Sequence, residues 1–152
     1  MSSGIRSLLT MARGIHGMLD RIPHWSIALL SRFAIAQVFW ASARTKADGW
    51  DIWNVNGTAI FLFENEYKVP LLSPNLAATM ASMAEHIFPV LLIIGLATRL
   101  SALALMFMTL VIQSFVYPDA WPVHVLWAVP LFYLIARGGG LVSLDRILGI
   151  DR

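Results

Sequence analysis

The chain contains no cysteine, which excludes disulfides, thiolate catalysis and Cys-ligated zinc or iron–sulfur clusters within it. Charge is also scarce. Charged residues make up 13% of the 152 positions against 58% hydrophobic ones, and the mean hydropathy is +0.69. These values are too apolar for an ordinary soluble domain of this length and point to an integral membrane protein. The net charge of +2 is spread through connections rather than massed, so nothing supports nucleic-acid binding. Internal repeats and low-complexity segments are missing, as are HxxxH and ExxH spacings. Glu85 and His86 are adjacent, and neighbours on a helix point about 100° apart, so metal ligation by this chain is not expected.

What is present is a set of apolar runs over residues 25–43, 76–97, 100–116 and 123–136, each able to form a helix of about 20–30 Å. Extending the last back through Trp121 and Pro122 puts Pro in the first turn and Trp at the interface. The reading is an all-α integral membrane four-helix bundle in one domain, with spans at about 24–43, 76–97, 100–117 and 121–137. Ahead of it, residues 5–22 alternate Ile5, Leu8, Ala12, Ile15, Leu19 and Ile22 with arginines on other faces. This predicts an amphipathic helix at the membrane surface. It is not expected to be a cleavable signal, since Gly14, His16, Gly17 and Asp20 interrupt the apolar run.

Seven basic residues (Arg6, Arg13, Arg21, Arg99, Arg137, Arg146 and Arg152) fall on one side. Arg44, Lys46 and Lys68 fall on the other, beside five acids, so the positive-inside rule puts both termini in the cytoplasm. The connection 44–75 is then periplasmic. Its aromatics (Trp50, Trp53, Phe61, Phe63 and Tyr67) read more plainly as an interfacial belt than as a lid over a cavity.

Ionisable groups inside the apolar runs are expensive and mark a site. By residue counting, Arg32 lies about 12 Å from the inner boundary and Glu85 about 14 Å from the outer one. An Arg32–Glu85 ion pair is therefore allowed. Ala28, Arg32, Ala36 and Ala43 share a small-residue face that would turn into the bundle. Ser82 can reach Glu85 or His86, and Pro89 deprives the Glu85 carbonyl of its helical donor. Gln113 at about 11 Å and His124 at about 5 Å complete a polar series descending from the outer surface. Such a series would suit a half-channel or a quinone-sized pocket open outward. An imidazole beside a carboxylate can carry a proton at neutral pH. The plainer alternatives are a buried pair that fixes helix register, and His124 as an interfacial ring.

The order of these features resembles the DoxX family of small four-helix bacterial membrane proteins. The elements that carry the likeness are Arg32 with Phe33, Phe39 and Lys46; Glu85 followed by Gly95-Leu96-Ala97-Thr98-Arg99; and Gly138-Gly139-Gly140-Leu141-Val142-Ser143-Leu144-Asp145. Together they cover roughly residues 24–146. Family members commonly have Gly ahead of the basic residue, where this chain has Trp40-Ala41-Ser42-Ala43-Arg44-Thr45-Lys46. The resemblance implies an inner-membrane bundle carrying Arg32, Lys46, Glu85 and Arg99 as family positions, with Asp145 as a structural cap or tail contact. Through the related DoxD-like proteins it implies thiosulfate:quinone chemistry, and through other members an accessory subunit of a redox or metal-stress system.

Three functions follow as expectations. The first is a quinone-interacting redox subunit, with Glu85, His86 and Arg32 as proton-handling and charge-balancing groups and Lys46, Gln113, His124 and Arg99 as binding groups. Without cysteine or a recognised flavin or haem motif, it would take electrons from a partner subunit. The second is a noncatalytic scaffold, as a homo-oligomer or with another membrane subunit. The third is a small proton-coupled carrier, for which no inverted repeat is visible.

Overall fold

The computed structural model describes residues 3–67 and 69–151, apart from the side chains of residues 3, 6 and 7. Lys68 and Arg152, which enter the charge count, lie outside the described residues. The elements are α1 (Ser3–Leu19), α2 (His24–Arg44), α3 (Gly57–Asn65), α4 (Pro74–Ile94), α5 (Thr98–Val111) running into a π-helical turn (Ile112–Val116), α6 (Trp121–Arg137) and α7 (Leu144–Ile147). Among the described residues the only extended pairing is a single bridge between Ala47 and Val55.

Three stretches, His24–Arg44, Pro74–Ile94 and Thr98–Val116, are long and apolar enough to cross a membrane; α6, with 17 residues, is apolar but shorter. The local sequence explains their limits. Pro74 opens α4 where a missing N–H costs nothing. Gly95 closes it in the left-handed region at φ 71°, two residues before the end of the apolar run. Every described side chain of α1 is exposed.

α2 packs antiparallel to α4 and also against α6, which lies beside α5. The core they enclose is built from Ile35, Phe39, Leu92, Leu105, Leu131 and Leu134, with Ala28, Ala36 and Ala102 letting the backbones approach. The small-residue face of α2 does turn inward, since Ala28, Arg32, Ala36 and Ala43 are all buried. The side holding the N-terminal end of α2, the α4–α5 turn and the C-terminal end of α6 is called the terminal side below. The opposite side carries the long connection after α2 and is called the loop side.

That connection is folded. Asn56 caps α3 by accepting from the Ala59 N–H at 2.8 Å, and Val55, Ala59 and Phe63 pack on Ala77 and Ala78 of α4. Tyr67 stacks edge-on against Phe63 and Tyr117, and its hydroxyl lies 3.0 Å from that of Tyr117, tying the connection to the end of the π turn. Trp50, Trp53 and Phe61 stay exposed. One face of the connection is thus core and the other is free for an interface.

Because its first two turns pack on α3, α4 is displaced along its axis relative to α2. Ser42 is level with Glu85, Trp40 with His86, and Arg32 with Leu92 and Ile93. Ten residues of α2 separate Arg32 from Ser42, about 15 Å at the helical rise. The Arg32–Glu85 pair that residue counting allowed does not form. Residue counting assumed that both helices fill the same slab. In addition, side chains lean toward the N-terminus of their own helix. On antiparallel helices this sends Arg32 toward the terminal side and Glu85 toward the loop side.

Candidate functional site

The polar residues inside the bundle form three separate groups, and no hydrogen bond joins one group to another among the described residues. The first surrounds Glu85, which is 3% exposed. Its Oε2 lies 2.8 Å from Lys46 Nζ, and its Oε1 accepts from Ser42 Oγ at 3.2 Å. Lys46 also donates to Ser42 Oγ at 2.8 Å, which closes a triangle of ammonium, hydroxyl and carboxylate. The i, i+4 spacing of Ser42 and Lys46 puts both on one face of the end of α2. Covering them is the segment that follows: Asn56 donates from its backbone to the Lys46 carbonyl and from its side chain to the Thr45 carbonyl, and Ser82 Oγ donates to the Ile52 carbonyl. Arg44 is not part of the triangle. It donates to the Gly49 carbonyl and sits over the Trp50 ring.

His86 completes this group. Its Nδ1 lies 2.7 Å from the Ser82 carbonyl oxygen. A carbonyl can only accept, so Nδ1 carries the hydrogen, and in the neutral ring Nε2 is left as a lone-pair acceptor. That atom is buried with no hydrogen-bond partner among the described residues, and the ring stands edge-on to Trp40 with centroids 5.4 Å apart. One turn further along α4, Val90 begins an apolar groove of about 640 Å³ between α2 and α4, lined on the α2 side by Phe33, Gln37 and Trp40.

The second group is Gln113 and His124. The imidazole Nδ1 lies 2.6 Å from Gln113 Oε1, and Gln113 Nε2 donates to the Pro118 carbonyl at 2.6 Å. His124 is 3% exposed and packs against Trp127. It stands in the first turn of α6, and the π turn and the short connection before it fold the ring inward. Neither this group nor Glu85 nor His86 lines the groove, and among the described residues no hydrogen bond joins the two clusters into one path.

The third group is on the terminal side. Arg32 Nε donates to the Leu92 carbonyl at 2.6 Å and Nη2 to the Ile93 carbonyl, while Nη1 reaches the carbonyls of Gly139, at 3.1 Å, and Val142. One buried guanidinium thus ties the last turn of α4 to the segment after α6. Asp145 answers from that segment. Its carboxylate accepts from the N–H groups of Ala97 and Thr98 at 2.7 Å each, capping α5, whose own N-cap residue Ala97 has no side-chain acceptor. Gly95 is indispensable to the fit. A Cβ there would fall 2.6 Å from that of Ser143 and 2.8 Å from Arg32 Nη2. Arg99 belongs to the same clasp. It pairs with Asp151 at 2.9 Å and donates to the Ile135 and Ala136 carbonyls at the end of α6.

Of the residues singled out from sequence, the fold brings together Glu85, His86 and Lys46, joins Gln113 to His124, and places Arg32 and Arg99 in the clasp. Ser42 and Trp40 were missed. The spacing of Ser42 to Lys46 held a signal, whereas nothing in sequence links Trp40 to His86.

The arrangement defines an all-helical membrane protein with one buried acid–base cluster and one clasp of guanidinium and carboxylate groups. The chain belongs to the DoxX family, whose family model matches residues 27–118. That stretch contains Arg32, Lys46, Glu85 and Arg99 and stops short of the 138–151 half of the clasp. The chain is also 28% identical over 130 residues to an uncharacterized protein of Haemophilus influenzae, covering 79% of this chain and 82% of that one. No solved structure matches it.

Proposed function

We propose that this protein is a proton-handling membrane subunit of a quinone-linked redox system, with His86 Nε2 as the atom that exchanges the proton. The observation that carries the reading is that Nε2 is buried, unpartnered among the described residues and fixed as the acceptor by the Ser82 carbonyl, next to the Glu85–Lys46 pair. A buried polar atom left unbonded is costly and calls for an explanation, and ionisable groups within a membrane span are candidates for function.

A groove next to this cluster supports a quinone as the ligand. The groove between α2 and α4 has the volume of a small-molecule site and apolar walls suited to an isoprenoid chain, and its loop-side end meets Trp40, the ring that touches His86. A bound quinone would supply a carrier for two electrons and two protons, with the electrons coming from a partner subunit. The chain's own residues do the rest. His86 accepts or returns a proton at Nε2, Nδ1–H keeps the ring oriented, Lys46 and Ser42 hold the Glu85 carboxylate, and the segment over Lys46 excludes water.

In this reading the protein is one bundle domain in the bacterial inner membrane, with both termini cytoplasmic, α6 as a fourth, shorter span, and α1 lying in the interface. Native mass spectrometry of protein extracted with its own lipids tests it. A quinone retained by wild type and lost in His86→Phe, which keeps a ring against Trp40, is the expected result. No quinone in wild type refutes it.

A second reading, a noncatalytic scaffold, is favoured by the clasp. There two of the four family positions, Arg32 and Arg99, are spent on backbone carbonyls and on Asp151 rather than on an open site. It predicts a stable protein partner in the same spectra and function retained in His86→Phe.

A further inference from the structure

A second concavity, of about 430 Å³, lies on the terminal side where the ends of α2 and α6 meet the segment after α6; Trp25, Tyr133, Arg137, Leu141, Arg146 and Asp151 line it. Its charge is unbalanced. Asp151 is the one acid in the wall, and its carboxylate is already engaged, Oδ1 by Arg99 and Oδ2 by the Gly139 N–H. The guanidinium groups of Arg137 and Arg146 have no hydrogen-bond or ion-pair partner among the described residues. Two cations thus share a cavity with no free counter-charge among the described residues.

The wall is prebuilt. Arg146 rides on α7, which is anchored by Ser143 accepting from the Arg146 N–H and by Asp145 on the α5 cap. Tyr133 donates its hydroxyl to the His24 carbonyl at 3.0 Å, bracing α6 against the start of α2. A Cβ on Gly140 would come within 3.0 Å of the Trp25 backbone, so the segment approaches α2 as closely as a glycine allows.

Position decides what anion belongs there. Arg137 is the last residue of α6 and Trp25 the second of α2, so the cavity sits where membrane-crossing helices end, with aromatics at headgroup depth. The surrounding segment exposes Leu141, Val142, Ile147, Leu148 and Ile150, each more than half accessible. Such a rim is wet and unfavourable around a site for a free ion, but suits acyl chains. Basic residues at this level also set orientation, yet that role requires neither a cavity nor a shared wall.

We propose that this cavity is a headgroup site for an anionic phospholipid, whose phosphate is taken by Arg137 and Arg146 while its chains lie over Leu141 and the outer faces of α2 and α6. Basic pockets between transmembrane helices recognise lipid headgroups in this way. The proposal does not depend on the quinone reading.

The test uses the full chain, delipidated in neutral detergent and titrated with phosphatidylglycerol, with phosphatidylcholine of the same acyl chains, or with inorganic phosphate. Lipid adducts are read by native mass spectrometry and unfolding by Tm. Phosphatidylglycerol is expected to be retained preferentially and to raise Tm, with the preference falling about fivefold for each arginine removed in Arg137→Gln and Arg146→Gln. Arg137→Lys with Arg146→Lys should keep most of it. Equal retention of the two lipids by wild type overturns the proposal without any variant. So does a preference that survives the double Gln substitution, or protection by inorganic phosphate equal to that by the lipid.

Discussion

Replacing Arg32 by Lys tests the clasp against the ion pair that residue counting suggested. Lysine keeps the charge but offers a compact ammonium, which cannot span carbonyls contributed by two chain segments. Of the four bonds, to Leu92, Ile93, Gly139 and Val142, it can hold about two. Hydrogen bonds from a charged donor contribute roughly 1.5–3 kcal/mol each, so losing two costs about 3 kcal/mol. The loss is local, because Arg32 holds the segment after α6 onto the α4–α5 turn. A cost of that size raises the opening equilibrium about 100-fold. Hydrogen exchange in detergent reads it directly. The amides of Ala97, Thr98 and Asp145, bonded across the clasp, should exchange about 100-fold faster in R32K, while amides of α3 should not change. Because Arg32 and Glu85 sit about 15 Å apart along the bundle, combining R32K with Glu85→Gln should be additive within about 0.5 kcal/mol. Unchanged exchange at Thr98 and Asp145, or a coupling above about 1 kcal/mol with Glu85, would refute the reasoning.

The pair that should couple is Lys46 with Glu85. Lys46→Met strands a buried carboxylate and should cost about 3–5 kcal/mol, whereas the double variant with Glu85→Gln should recover much of it; additive losses in thermal unfolding would argue against the 2.8 Å contact. Gly95→Ala should lower stability by about 2 kcal/mol, combining the left-handed backbone with the collision at Ser143, and a variant as stable as wild type contradicts the close approach. Burial, and then the hydrogen bond to Tyr117, pushes the Tyr67 hydroxyl well above the ordinary tyrosine range. The fold favours the neutral phenol, so its contribution is complete below about pH 10, the ordinary tyrosine value, and is lost as pH rises toward the shifted one. Tyr67→Phe should be less stable than wild type at pH 8 and approach it in strong alkali; a gap that widens with pH reverses the assignment.

The helices were legible because apolar length and punctuation are local properties. Pro74 and Gly95 mark the true ends of α4 better than the apolar run itself did. Burial of Arg32, Glu85 and His86 was legible for the same reason, since a charge within an apolar run has nowhere else to go. Their partners were not. Pairing depends on how far α4 slides along α2, and that is set by α3, a helix announced only by Asn56 and the apolar residues after it. The clasp was hidden differently. Its glycines and Asp145 stand out in sequence, yet nothing local says that carbonyls at 139 and 142 would meet a guanidinium at 32.

That separation has a consequence for biogenesis. Arg32 enters the bilayer with the first span, but its partners at Gly139 and Val142 lie 107 and 110 residues further along the chain. At translation rates of about 5–20 residues per second, the guanidinium waits roughly 5–20 s before those carbonyls are made. Until the Leu92 and Ile93 carbonyls arrive with α4, 60 and 61 residues on, it must be accommodated by water, lipid headgroups or the insertion machinery, and until residue 142 is made it holds only half of its bonds. Interrupting synthesis after α5 should therefore leave a product whose first span is poorly retained, a quality-control checkpoint written into the order in which the residues are made.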